Sequence, residues 1–429
     1  MTPALTVATP SAAERLTIIK SPGTLIKASG NHTAHGGGMS TASMRRAYRG
    51  PALFSFGFRP FYLLGAAWSA LVVPLWLWSY LAGGPGMLTR DWHVHEMLFG
   101  FLAAVIAGFL TTAVPNWTGR MPILGAPLAQ LVGLWLAGRV AMLFQASLGA
   151  AVAGVIDSLF LLIFASVIWR EVLAGRNWRN LPVCGLVTIL ALGNIAFHLQ
   201  GAPWASGLGE RLALGTAALL IALIGGRITP SFTGNWLRAQ RVSAQPAAFG
   251  GIDRAGLALV GLAVSAWAVF PNNRVSGLLL ALAGLASLVR LARWQGWATR
   301  REPLVWILHL GYGWLGLGLL LLGASVLSPA IPRSVGVHAL TAGAIGVMTL
   351  AVMTRSTRGH TGRQLHAGFA TLAIYAAINA AAVARIVAPF AGVWQQSLLM
   401  SSAGLWALAF AGFAIAYGPM LVLPRPARA

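Results

Sequence analysis

Apolar runs of about 18 to 25 residues, separated by short polar stretches, repeat along the chain from residue 61 to residue 423. At 1.5 Å per helical residue, such a run crosses a hydrocarbon core about 30 Å thick. An open strand edge in lipid would leave backbone groups without partners, so each run is predicted to be a helix. The first six spans are predicted at Phe61–Leu81, Met97–Val114, Leu124–Gln145, Leu148–Trp169, Leu181–Gln200 and Arg211–Ile228. The second six are Gly256–Phe270, Val275–Trp294, Val305–Leu327, Val335–Met353, Leu365–Val387 and Val393–Leu423. The expected fold is an all-α polytopic membrane protein of about twelve transmembrane helices. Its membrane domain covers residues 51–424, with a cytoplasmic tail at 425–429.

Composition agrees with this pattern. Of 429 residues, 57% are hydrophobic and only 9% charged, against roughly a quarter charged in soluble proteins. So few charges could not cover a surface in water. The net charge of +22 would suit a nucleic-acid partner until the charges are placed. Of 28 arginines, Arg90, Arg211, Arg274, Arg333 and Arg385 fall at one set of span ends, and Arg139 falls within a span. The other 22, with both lysines, lie on the opposite side or in the termini. By the positive-inside rule the Arg-rich side is expected to be cytoplasmic, with both ends of the chain on it. No nucleic-acid partner is expected.

The one cysteine, Cys184, excludes a disulfide framework or a CxxC site. Residues 1–50 are rich in Ser, Thr, Ala and Gly and hold no apolar run long enough for a signal peptide. They are read as a mostly disordered cytoplasmic extension. Within it, NHTAHGGGM carries His32, His35 and Met39, a set that suits a soft metal, although the composition favours a flexible tail.

A repeat underlies the span count. The cytoplasmic ends of the second, sixth and tenth spans read AVPNWTGR, ITPSFTGNW and TRSTRGHTGR. Their Thr-Gly pairs (Thr118-Gly119, Thr233-Gly234 and Thr361-Gly362) recur after 115 and 128 residues, four spans apart each time. Thr-Gly also simply ends helices well, but the spacing points to three four-helix units. That architecture resembles the main subunit of haem–copper oxidases and nitric oxide reductases, a likeness that does not by itself give function.

Ionisable residues within spans are costly and are functional candidates by default. With acids few and thiolates absent, histidine is the plentiful ligand type. His93 and His95 open the second span, His198 closes the fifth and His338 opens the tenth, all at the outer side. His309 lies about two turns inside the cytoplasmic end of the ninth. Imidazole suits iron and copper, and haem iron takes axial ligands from facing helices. The helix-spaced positions below His93 (Gly100, Ala104, Ala107, Thr111) and below His338 (Thr341, Ala342, Ile345, Thr349) are mostly small. They allow close packing or leave room for a flat macrocycle. His93 and His95, two residues apart, point to different sides. Each histidine alone reads better as an interfacial or hydrogen-bonded packing residue; their convergence is what indicates a metal or haem.

The outer-side prediction is a haem between the second and tenth spans, held by His338 with His93 or His95. His198 is expected to bind copper or to partner whichever of the two is left free. His309 belongs to a deeper second site or to none. Asn194, one turn before His198, is a candidate to orient it; Asp91 and Glu96 flank the helix-2 pair. His360 and His366, beside Arg358 and Arg363, read as solvated loop residues. Arg139 and Asp157 lie roughly 9 Å and 13 Å below the short loop joining their helices. They are predicted to pair, or Arg139 to hold a haem propionate.

The stretches FGFRPFYLLGAAW, DWHVHEMLFGFLAAVIAGFLTTAVPNWTGR, GRITPSFTGNW, WILHLGYGW and VHALTAGAIGVMTLAVMTRSTRGHTGR closely resemble the NnrS proteins, over about Phe54 to Pro424. The resemblance implies a bacterial inner-membrane protein linked to denitrification and nitric-oxide stress, containing haem (b-type expected) and copper. The matching histidines are His93 and His95 in WHVHEM, His309 in ILHLGY and His338 in VHALTAG, with His198 in a similar FHL ending. His360, inside RGHTGR, keeps some claim to a role. Nitric oxide or a related small molecule, an electron donor and the bilayer are the implied partners; the reaction, if any, is left open. The rival expectation is a twelve-helix transporter of a metal or nitrosylated compound, which would more often show broken helices or two-half symmetry.

Overall fold

The computed structural model describes residues 48–425 except 85 and 87. His32, His35, Met39 and nearly all of the predicted extension lie outside the described residues. Twelve helices are long and apolar enough to cross a membrane. They are α1 (Phe58–Ala82), α2 (Arg90–Thr118), α3 (Ala126–Leu143), α4 (Ala150–Ala174), α5 (Trp178–His198) and α6 (Pro203–Ala239). The second half gives α7 (Gly251–Val269), α8 (Arg274–Ala292), α9 (Pro303–Leu327), α10 (Arg333–His360), α11 (Phe369–Phe390) and α12 (Gly392–Val422). There is no strand among the described residues. The predicted and observed spans correspond one to one. The chief differences are in α2, α6 and α10, whose polar ends continue the helix beyond the apolar stretch. Thr89 caps α2 by accepting the Trp92 N–H at 3.1 Å, so His93 and His95 sit inside the helix.

These three long helices form the interior. Between 61% and 78% of the apolar window is buried in α2, α6 and α10, against 33–56% in the other nine. Around them the outer helices pack in the runs α3–α4–α5, α7–α8–α9 and α11–α12–α1, so that α12 packs along α1. Arg59 helps the closure: its Nη1 donates at 2.8 Å to the carbonyls of Leu421 and Leu423, at an end of α12 whose carbonyls would otherwise lack donors. The junctions α4–α5, α8–α9 and α12–α1 are the contacts between successive four-helix units. At the second of these, a Cβ on Gly284 of α8 would lie 2.6 Å from the Gly316 carbonyl oxygen of α9, and one on Gly323 of α9 would lie 2.6 Å from that of Gly277. These contacts follow the three four-helix units to which the Thr-Gly spacing points.

Each inner helix contains one π-helical segment: Glu96–Leu102, Ile221–Gly225 and Ala339–Ile345. Such widened turns are uncommon and gather at functional sites. The first and third lie 243 residues apart, the separation that also relates Thr118 to Thr361. His95 and His338, each immediately before its π segment, have the same separation, as do Gly100 and Gly343. His95, not His93, is therefore the repeat counterpart of His338. The Thr-Gly pairs differ in use. Gly119 (φ +70°) and Gly362 (φ +74°) take the left-handed conformation that stops a helix, whereas Thr233-Gly234 lies inside α6, which runs on to Ala239.

Candidate metal centre

On the Arg-poor face, α2, α3, α4 and α5 bring together a set of buried polar side chains. His95 and Glu96 on α2, Arg139 on α3, Asp157 on α4 and Asn194 on α5 are all at most 3% exposed. Asp157 is the hub. Its Oδ2 accepts from His95 Nε2 at 3.0 Å, His198 Nε2 at 3.0 Å and Asn194 Nδ2 at 2.8 Å, and its Oδ1 accepts from Arg139 Nη2. Glu96 is the second anchor: Oε1 lies 3.0 Å from His95 Nδ1, while Oε2 takes Arg139 Nη1 at 2.6 Å and Trp68 Nε1 at 2.7 Å. The predicted Arg139–Asp157 pair is thus present, within a larger network.

Small residues make this convergence possible. A Cβ on Gly138 would lie 2.8 Å from Asp157 Oδ1, and one on Gly154 would lie 3.0 Å from His198 Cγ. With either position filled, the carboxylate of α4 and the imidazole of α5 could not meet as they do.

Charge and spacing together define what the cluster can hold. Two carboxylates face one guanidinium, leaving one negative charge in a place where an uncompensated ion is costly. Either a doubly protonated His95, both of whose nitrogens face carboxylate oxygens, or a bound cation supplies the missing positive charge. His95, Asp157 and His198 each offer one ligand atom, all within 4.8 Å of one another. Atoms sharing a metal with bonds of about 2.0–2.1 Å sit about 2.9–3.4 Å apart for right-angle to tetrahedral geometry. The two 3.0 Å nitrogen–oxygen separations fall in that range. With Nε2 given to an ion, His95 Nδ1–H would still donate to Glu96, the usual way a ligating imidazole is fixed. The donor set therefore fits a metal such as copper.

The other histidines on the Arg-poor face are set apart from this cluster. His93 turns toward α1 and stacks on Trp76, ring centroids 4.2 Å apart and planes 23° apart. Its Nδ1 is buried and has no hydrogen-bond partner. His338 on α10 donates from Nδ1 to the Ser334 carbonyl at 2.7 Å, which leaves the Nε2 lone pair for another group. His93, Arg90 and Arg385 are near enough to His338 for their charges to act on it. His93 and His338 thus each keep an imidazole nitrogen without a protein partner among the described residues, with two guanidinium groups nearby.

The structure thus separates His93 from His95, groups His95 with His198, and leaves His93 with His338. His309 joins neither group. It lies near the Arg-rich face, its Nε2 2.8 Å from Thr233 Oγ1 and its ring against Gly296. His360 lies against Phe56 and Phe58, so it is a packed residue and not a freely solvated one. Asn194 was expected beside His198; it contacts Asp157 and, at 3.3 Å, His95. Trp68 gave no sequence signal beyond being an indole inside a span, and its role depends on how α1 is turned.

Nine membrane helices around three inner ones, with histidines gathered at one face, define a polytopic membrane protein. The sequence matches the family of the NnrS protein over residues 52–425, and the chain belongs to the NnrS family, making it a nitric-oxide-linked membrane protein. No curated protein matches it.

Proposed function

We propose that this chain is a copper- and haem-binding protein of the bacterial inner membrane that binds nitric oxide or a related small molecule. The Arg-rich face would be cytoplasmic and the histidine face would look outward. The observation that carries the reading is the buried His95–Asp157–His198 set, with its two nitrogen–oxygen spacings of 3.0 Å. In it, His95 and His198 would supply imidazole nitrogens and Asp157 one carboxylate oxygen. Glu96 and Arg139 would hold the ligands in place and offset the charge, and the low exposure of the cluster would exclude bulk water. Haem would be held by His338, with His93 as the second candidate ligand and Arg385 and Arg90 as partners for its carboxylates. When bound, both metals offer one-electron redox chemistry and an affinity for nitric oxide, so an electron donor is an expected partner.

The test is metal analysis and absorption spectroscopy of the full chain purified in mild detergent. Copper near one ion per chain, lost in Asp157→Asn and in His198→Ala while a haem Soret band stays, supports the assignment. Protein purified from copper- and haem-replete cells with neither metal would overturn it and favour the transporter.

A further inference from the structure

A concavity opens at the opposite, Arg-rich face, where α5 begins and α6 and α8 end. It encloses about 490 Å³ and is lined by Arg179, Arg227, Arg238 and Arg290, with Ser231 and Gln245 and no Asp or Glu. Binding pockets for small molecules commonly range from about 300 to 1,000 Å³. Four guanidinium groups around one space are more than the positive-inside rule requires, because that rule fixes a side of the membrane and not a point of convergence.

The partners of these arginines matter most. Arg227 Nη1 donates to Asn180 Oδ1 at 3.0 Å, and Arg238 donates to Asn235 Oδ1 at 2.6 Å and, less closely, to Gln245 Oε1 at 3.4 Å. All three acceptors are neutral amides. Neither these two nor Arg179 has a carboxylate partner among the described residues, and Arg179 is close enough to Arg227 for the like charges to act on each other. Elsewhere on this face Arg120 and Arg170 pair with Glu171, and Arg293 with Asp253. Arg290, 1% exposed, forms the floor. Its Nε meets Asp253 at 3.2 Å, its Nη1 meets the Tyr312 hydroxyl at 2.5 Å, and its Nη2 lies against Gly226 of the cavity wall. Two neighbouring cations thus face a space into which no acid projects.

We infer that this cavity binds a phosphate group. Guanidinium forks match phosphate oxygens in charge and in paired geometry. The apolar part of the lining, Leu223, Leu257 and Phe249, accommodates the organic portion of a phosphate ester. The group belongs either to a soluble phosphate compound or to the headgroup of an anionic phospholipid in the adjoining leaflet. This site is independent of the histidine centre on the other face.

The experiment has two arms on the full purified chain. In the first, inorganic phosphate and pyrophosphate are titrated calorimetrically at constant ionic strength, with chloride as the control. In the second, the protein is taken into nanodiscs containing phosphatidylglycerol, and retained lipid is measured by native mass spectrometry. Arg227→Gln and Arg238→Gln are compared with Arg254→Gln, a change on the same face outside the cavity lining. Arg238 is exposed, so its variant folds even if Arg227→Gln does not. Saturable phosphate binding, weakened roughly ten- to hundred-fold by loss of a charge-assisted contact in the cavity variants alone, supports a soluble ligand. Retained phospholipid lost in the cavity variants but not in Arg254→Gln supports the lipid source. No binding in either arm, or an equal loss in Arg254→Gln, overturns the inference.

Discussion

Replacing Arg139 by Met tests whether the buried polar cluster is one electrostatic unit. In the native chain Arg139 neutralises part of two carboxylates, reaching Glu96 Oε2 at 2.6 Å and Asp157 Oδ1 with its other terminal nitrogen. Arg139, Glu96 and Asp157 are each 3% exposed or less. Removing one member of such a buried pair costs about 3–5 kcal/mol, because the partner charge stays behind without compensation. Arg139→Met is expected to cost that much, and Asp157→Asn less, because Arg139 keeps Glu96 at 2.6 Å. Acting independently, the two would together cost more than Arg139→Met alone. With Asp157 also neutral, the double variant has one fewer carboxylate left uncompensated, so it should lose no more than Arg139→Met alone. The lone thiol, Cys184, is fully buried on α5, the helix that also carries Asn194, so a thiol-reactive fluorophore reports unfolding in detergent directly. A double variant that unfolds as far below the singles as their sum requires would refute the coupling.

Three further outcomes follow from the same geometry. His338→Ala should remove or strongly shift the Soret band while the protein still inserts in the membrane; an unchanged spectrum in the purified variant would reject His338 as a haem ligand. Gly154→Val should displace the His198 ring, which a Cβ would approach to 3.0 Å at Cγ, and lower copper content more than it lowers haem. Equal loss of both would point to general misfolding instead. Thr233→Val removes the side-chain partner of His309 at 2.8 Å and should destabilise the fold by about 1–3 kcal/mol without changing metal content. A specific loss of copper or haem in that variant would return His309 to the list of ligands.

The spans were legible because a bilayer demands apolar length, and that demand is written residue by residue. The Arg139–Asp157 pair was legible for a related reason: both sit at similar depth on adjacent helices joined by a short loop. Depth alone does not say which way a helix is turned. The meeting of Asp157 with His95 and His198 depends on the rotation of α2 and α5 about α4 and on Gly138 and Gly154 leaving space. The π segments have no compositional mark, since Glu96–Leu102 and Ala339–Ile345 share little beyond a glycine. The spacing of 243 residues was present in the sequence all the same: Val94-His95, Gly100 and Thr111 recur as Val337-His338, Gly343 and Thr354. Reading it would have separated His93 from His95 without coordinates.

That repeat also bears on the proposal that two histidines in equivalent positions serve different metals. In the first unit Trp68 of α1 lies against Gly100, and in the third Trp314 of α9 lies against Gly343, so both π segments are braced by an indole from the unit's first helix. The surroundings then diverge. Around His95 the third and fourth helices supply Arg139 and Asp157, and α2 adds Glu96, giving two carboxylates to one guanidinium. Positions 243 residues on are Ala339, Ala382 and Met400, so none of those charges is repeated around His338. The charges that act on His338 are those of Arg385 and Arg90. A net-negative pocket favours a bare cation, whereas a cation-flanked imidazole favours a ligand that brings its own negative charge, as the carboxylates of a haem do. The divergence between the units therefore argues for copper at His95 and haem at His338, and against the reverse assignment.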